Sequence, residues 1–308
     1  MKARLKRGAA LLLLPLSVLP FLLLGPQIAE SHRNFTRAQE SAALPAPMVA
    51  PTAAESARWK PLPASGGPVP VVAYAGIGAE APSVTRLAFA RQMEMLSRAG
   101  YRTISIHQYS RWRHGLPAGL PARPVLITFE GGRLDTFRGA DRVLQRHGFR
   151  ATVFPDTGEV ARGNRSYLRW RELQAMQRSG RWDVQPGPFD GSAPVTVDAN
   201  GRAGEFYAYR RYTRSQGVEK FADWQQRVTR DVFSARAAMV AQGFDPVAFS
   251  VPRGNYGQQG SNDARIAPWM RGLLRTQFGV FLAGGDKPRY DVRSGTTATE
   301  LYGWLEQR

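Results

Sequence analysis

The 308-residue sequence has no cysteine, which excludes disulfides and thiolate-held metals and leaves any fold to be held by its apolar core alone. Histidine is nearly as scarce: His32, His107, His114 and His147 are the only four, and none follows position 147. Acidic residues are also in deficit, with 24 Asp and Glu against 42 Lys and Arg, for a formal charge of +18. Such a surplus favours anionic neighbours. The arginines are scattered rather than run together and no nucleic-acid-binding motif occurs, so nucleic acid is not an expected partner. No serine sits on a Gly-x-Ser-x-Gly elbow, Gly131-Gly132 does not form a phosphate loop, and no internal repeat is present.

What is present divides the chain into three parts. Residues 1–25 open with Lys2, Arg4, Lys6 and Arg7 and continue as an apolar run from Ala9 to Gly25, broken only by Pro15, Ser17 and Pro20. This predicts a signal peptide or a retained membrane anchor, since the run would span about 26 Å at ~1.5 Å per residue. The rest is then expected outside the cytoplasm, either secreted or anchored to the outer face of the cytoplasmic membrane. Residues 26–68 are rich in Ala, Pro and Ser without periodicity and read as a disordered tether. Residues 69–308 alternate strand-like and helical patterns. Strands are predicted at 69–74, 102–106, 124–129, 150–154, 182–185, 247–251 and 279–282, with helices at 86–98, 136–146, 170–178, 221–242 and 298–306. Repeated βα units imply an α/β fold with parallel strands, closed as a (β/α) barrel, with its chemistry at the carboxyl ends of the strands. Three such ends, Phe129-Glu130-Gly131, Gln185-Pro186-Gly187 and Val251-Pro252-Arg253-Gly254, are expected to converge on one mouth.

Several of these segments carry a resemblance. Val125-Leu126-Ile127-Thr128-Phe129-Glu130-Gly131-Gly132 resembles the strand that closes on Thr-Phe-Asp-Asp-Gly in polysaccharide deacetylases (carbohydrate esterase family 4). Gly100-Tyr101-Arg102-Thr103-Ile104-Ser105, Gly148-Phe149-Arg150-Ala151-Thr152-Val153-Phe154 and Pro288-Arg289-Tyr290-Asp291-Val292 resemble further framework segments of that family in order and spacing. The resemblance implies a distorted barrel of the polysaccharide deacetylase type. It also implies a divalent metal held by one aspartate and two histidines, with a second aspartate as base. The metal would polarise an N-acetyl carbonyl and activate water for hydrolysis of an amide C–N bond.

At the matching positions this chain has Gly131, Gly187 and Gly191 for the three ligands and Glu130 for the base. No metal or other cofactor is therefore expected. The alternative is a divalent metal in a site rebuilt from carboxylates such as Asp135, Asp183 and Asp190. Glu130 is read as a vestigial base whose simplest role is an ion pair with an arginine such as Arg133 or Arg253. Arg253, Tyr256, Trp182 and His107 are candidate substrate-binding residues, because sugars are recognised by aromatic faces and hydrogen-bonding groups. The expectation is a non-catalytic, deacetylase-like envelope protein that binds or guides a surface polysaccharide or oligosaccharide, or the membrane-bound synthase that makes it. The alternative is an active metal-dependent polysaccharide N-deacetylase.

Overall fold

The computed structural model describes residues 44–64, 66–78, 82–285 and 288–308; the stretch expected to be a signal or anchor, and the expected tether up to residue 43, lie outside them. The described residues form one compact unit. Its centre is a parallel sheet in which β1 (Val71–Tyr74) lies between β12 (Arg289–Val292) and β3 (Pro124–Gly131). Beyond β3 follow β4 (Ala151–Pro155) and β5 (Trp182–Val184), and the short β2 (Arg102–Thr103) pairs with the start of β3. A separate parallel pair, β10 (Ala248–Ser250) and β11 (Val280–Leu282), completes the wall. Between β5 and β10 the Gln185 side chain takes the place of a backbone ladder. Its Oε1 accepts from the amides of Val247 and Ala248 at 2.8 and 2.9 Å, and its Nε2 donates to the Asp245 carbonyl at 3.0 Å. This is the α/β barrel expected from the alternation of patterns.

Strand side chains alternate between two environments, as the pleat requires. Val71, Leu126, Phe154, Ala248, Val280 and Leu282 meet inside the wall, whereas Val72, Tyr74, Ile127, Phe129, Val153 and Val184 pack outward in a second cluster. That outer cluster is covered by α2 (Arg86–Arg98) and α4 (Leu134–His147), with buried faces that include Phe89, Met93 and Leu96 on the first and Ala140, Val143 and Leu144 on the second. Gly148 ends α4 in the left-handed conformation (φ 63°) that glycine adopts without strain. A third cluster joins Phe249 to α7 (Phe221–Ala241) and α8 (Ile266–Gln277) through Trp224, Val228, Val232, Met270 and Leu274. The 186–220 excursion carries two small antiparallel hairpins, β6 (Val195–Thr196) with β7 (Ala203–Gly204) and β8 (Tyr212–Thr213) with β9 (Gly217–Val218).

Two expectations change. The second strand stops at Thr103, because Ser105 and Gln108 form a reciprocal capping box that starts α3 (Ile106–Arg113) where strand was expected. The stretch 44–64, read as part of a disordered tether, lies against the barrel. It contains α1 (Ala53–Arg58), buries Trp59 to 2% exposure in the outer cluster, and accepts hydrogen bonds at the carbonyls of Pro45, Pro47 and Pro63 from Arg86, Arg146 and Arg123. Its irregular backbone finds its partners on the domain surface, which periodicity could not reveal. The remaining helices are α5 (Thr157–Ala161), α6 (Trp170–Arg178) and α9 (Ala298–Glu306).

Candidate functional site

The three strand ends do converge. Glu130 and Gly131 from β3, Gly187 and Pro188 after β5, and Pro252 and Arg253 after β10 line a cavity of about 350 Å³ at the mouth of the barrel. Glu130 falls on the inward register of β3, with Leu126 two pairs below it in the interior cluster. Its Oε1 accepts from Arg289 Nη2 at 2.9 Å and from Ser250 Oγ at 3.1 Å. The expected arginine pairing of Glu130 exists, but its partner is Arg289 rather than Arg133 or Arg253. Arg289 is nearly buried, 6% exposed at its side chain, and also donates to Asp291 at 2.7 Å. Burial opposes its charge, yet Glu130 and Asp291 outweigh that and raise its pKa. Arg133 instead donates to Asp135 at 3.2–3.3 Å.

Arg253 stands at the mouth as expected, exposed and without a hydrogen bond or ion pair among the described residues. It is the one non-glycine among them with a left-handed backbone, φ 54°, a conformation that costs on the order of 1–2 kcal/mol. The other three candidates sit elsewhere. Trp182 is 2% exposed on the outer face of the sheet, packed on Phe129 and Phe137, with Nε1 donating to Asp141 at 2.9 Å. Tyr256 is 4% exposed and set edge-on against Phe281, away from the cavity. His107 lies at the start of α3, just after β2, which pairs with the first two residues of β3. It does not line the mouth cavity. The aromatic residues that do line the mouth are Phe154 and Tyr167, the latter within reach of the Arg133 guanidinium at 5.9 Å.

A second carboxylate at the mouth escaped the sequence reading. Asp156 directly follows β4, its amide bonded to the Gly131 carbonyl at 3.0 Å, and its pKa is pushed up to about 7. Burial is the main cause, a hydrogen bond from Ser192 works against it, and the charges of Glu130, Glu159 and Asp231 add to it. Its position just past a strand's carboxyl end was the available signal. Deeper still, Asp231 on α7 accepts from the amides of Phe189 and Asp190 at 3.1 and 2.5 Å and from the Tyr207 hydroxyl. Burial raises the Asp231 pKa in spite of those bonds.

The metal implied by the fold can be tested against the residues in its place. A Cβ on Gly187 would lie 2.8 Å from the Pro155 carbonyl oxygen and 2.9 Å from that of Phe154, and one on Gly191 would lie 2.6 Å from the Tyr207 hydroxyl. Only Gly131 faces open space, with φ +83°. Of the carboxylates that could rebuild the site, Asp135 is engaged by Arg133, Asp190 by Arg162 at 2.7 Å, and Asp183 by the Ile106 amide at 3.0 Å. No group of three or more His, Cys, Asp or Glu among the described residues is arranged to hold a metal ion. The residues present do not fit the metal.

This parallel barrel, with its cleft at the strand carboxyl ends, has the fold of solved polysaccharide deacetylases. Three solved structures share it. A de-N-acetylase from Aggregatibacter actinomycetemcomitans superposes with a TM-score of 0.66 at 15% identity, over 77% of this chain and 99% of that one. IcaB from Ammonifex degensii gives 0.56 at 21% identity, over 78% and 98%. A polysaccharide deacetylase from Bacillus cereus gives 0.51 at 16% identity, over 77% and 68%. No protein-family description and no curated protein matches the sequence.

Proposed function

We propose that this chain is a non-catalytic, deacetylase-like protein of the cell envelope, whose barrel mouth binds polysaccharide or oligosaccharide. The observation that carries the reading is steric: two of the three positions matching metal ligands are glycines closed off by the β4 backbone and by Tyr207. Deacetylation by this fold needs a Lewis acid and a carboxylate free to take a proton from water. Here Glu130 is committed to Arg289 and Ser250. What the mouth retains suits binding, namely the unpaired Arg253, the Tyr167 ring and the Ser192 hydroxyl around a cavity of about 350 Å³, a size typical of ligand sites. The apolar start of the sequence supports export, which would place the mouth among surface polymers or beside a membrane-bound synthase.

One observation favours a working hydrolase instead: a carboxyl with a pKa near 7, that of Asp156, is suited to general acid–base work at neutral pH. A single set of measurements separates the readings. Purified protein is assayed for bound divalent metal, for acetate released from β-linked N-acetylglucosamine oligomers, and for oligomer binding by calorimetry. The expected result is no stoichiometric metal, no acetate, and saturable binding weakened by Arg253→Ala. Acetate release abolished by Asp156→Asn would establish the hydrolase, and absence of any oligomer binding would sink the saccharide reading.

A further inference from the structure

A second cleft, separate from the mouth, is lined by cations. Arg113 and His114 at the end of α3, Arg271 and Arg275 on α8, and Tyr256 surround a cavity of about 510 Å³ together with the Gly279–Phe281 edge. No carboxylate among the described residues lines it, and Arg113, Arg271 and Arg275 form no ion pair there. This sets them apart from Arg133, Arg162, Arg181, Arg210, Arg227, Arg265 and Arg289, each of which has a carboxylate partner. Neither α3 nor α8 contains a single acidic residue. On α8 the two arginines stand four apart, on one face, where like charges repel. Arg271 Nε and Nη2 both reach the Tyr256 hydroxyl oxygen at 3.4 Å, which leaves that hydroxyl's own proton free to donate.

A smaller cavity of about 70 Å³ shares Arg113 and Phe281 with the cleft and continues to Arg289 across the seam between β11 and β12. Arg289 is nearly buried, and its Nη1 has no hydrogen-bond partner. That nitrogen is itself buried and the guanidinium is paired with Glu130 and Asp291, so Arg289 forms part of the smaller cavity's wall and is not counted among the donors of the cleft.

We infer that this cleft is an anion site that takes a phosphate group, pyrophosphate or phosphodiester, between Arg113, Arg271, Arg275 and Tyr256. Guanidinium forks match pairs of phosphate oxygens, and three of them exceed what one carboxylate can satisfy. An envelope phosphate can come from a lipid headgroup or from a soluble or polymer-borne group, and both sources present the same oxygens. The site is independent of the saccharide reading of the mouth.

The test is calorimetric titration of pyrophosphate into the full chain at fixed ionic strength near 0.15 M, where diffuse attraction to a +18 protein is largely screened. The expected result is one saturable site, weakened at least about tenfold by Arg271→Gln with Arg275→Gln. It should be unchanged by the control Arg178→Gln with Arg236→Gln, exposed residues outside the cleft that remove the same charge. Circular dichroism confirms that both variants fold. Co-sedimentation with phosphatidylglycerol against phosphatidylcholine vesicles identifies the source: a difference lost in the cleft variant assigns a lipid headgroup, and binding of pyrophosphate alone assigns a soluble group. No saturable pyrophosphate binding, full binding by the folded cleft variant, or equal loss in the control would overturn the proposal.

Discussion

Replacing Gly187 by alanine is the most direct test of why the metal positions are closed. The added Cβ would stand 2.8 Å from the Pro155 carbonyl oxygen, when ordinary Cβ contacts begin at 3.4 Å, so the two backbones must part by about 0.6 Å. They cannot do so freely, because the Gly187 amide donates to that same carbonyl at 3.0 Å. Overpacking of this kind costs about 1–3 kcal/mol, and weakening the hydrogen bond adds about 1 kcal/mol. An expected loss of about 3 kcal/mol corresponds to a fall in Tm of roughly 6–12 °C for a domain of this size. Urea melts and calorimetry on Gly187→Ala, with Gly131→Asp alongside, provide the measurement. Gly131 faces open space at φ +83°, so its substitution should cost only the left-handed penalty of about 1–2 kcal/mol. A Gly187→Ala protein within about 0.5 kcal/mol of the parent, or a Gly187→His variant that binds zinc stoichiometrically, would refute the reasoning.

Asp156 ionises near pH 7 in the folded chain but near 3.8 when unfolded, so between those values the native state holds the extra proton. Stability should therefore fall as pH rises from about 4 to about 7, and the loss should persist above that range. Asp156→Asn is expected to flatten the slope and to exceed the parent's stability at pH 8 but not below pH 4; parallel stability curves for the two proteins would contradict this. Trp59→Ala should cost about 3–5 kcal/mol, because a 2% exposed tryptophan packs into the outer cluster. A chain shortened to begin at residue 69 should melt earlier and be cleaved faster by protease than one beginning at residue 44. Equal melting temperatures would show the 44–64 stretch to be dispensable.

The barrel was legible because its signals are local. The stop at Gly148, the apolar stripe Trp224, Val228, Val232, Ala235 and Met239, and the runs of β3 and β4 each specify their element without reference to the rest of the chain. The convergence of three strand ends followed from the fold's geometry and placed Glu130 and Arg253 at the mouth. What failed depended on facing and on distant partners. Trp182 and Tyr256 lie beside loops in the sequence, but the pleat turns the first outward onto Phe129 and the packing of α8 covers the second. His107 was misplaced by the same error that extended β2 past Ser105, where the capping box begins the helix. The Glu130–Arg289 pair joins residues 159 positions apart, and nothing short of the register of β12 on β1 brings them together.

The Gln185 amide imitates a missing strand neighbour, and it does so at the last residue before the 186–220 excursion. Circumference is thus fixed upstream of the most irregular part of the chain. That part can lengthen, shorten or change its hairpins without loosening the wall, so the rim is free to vary over a scaffold that stays shut.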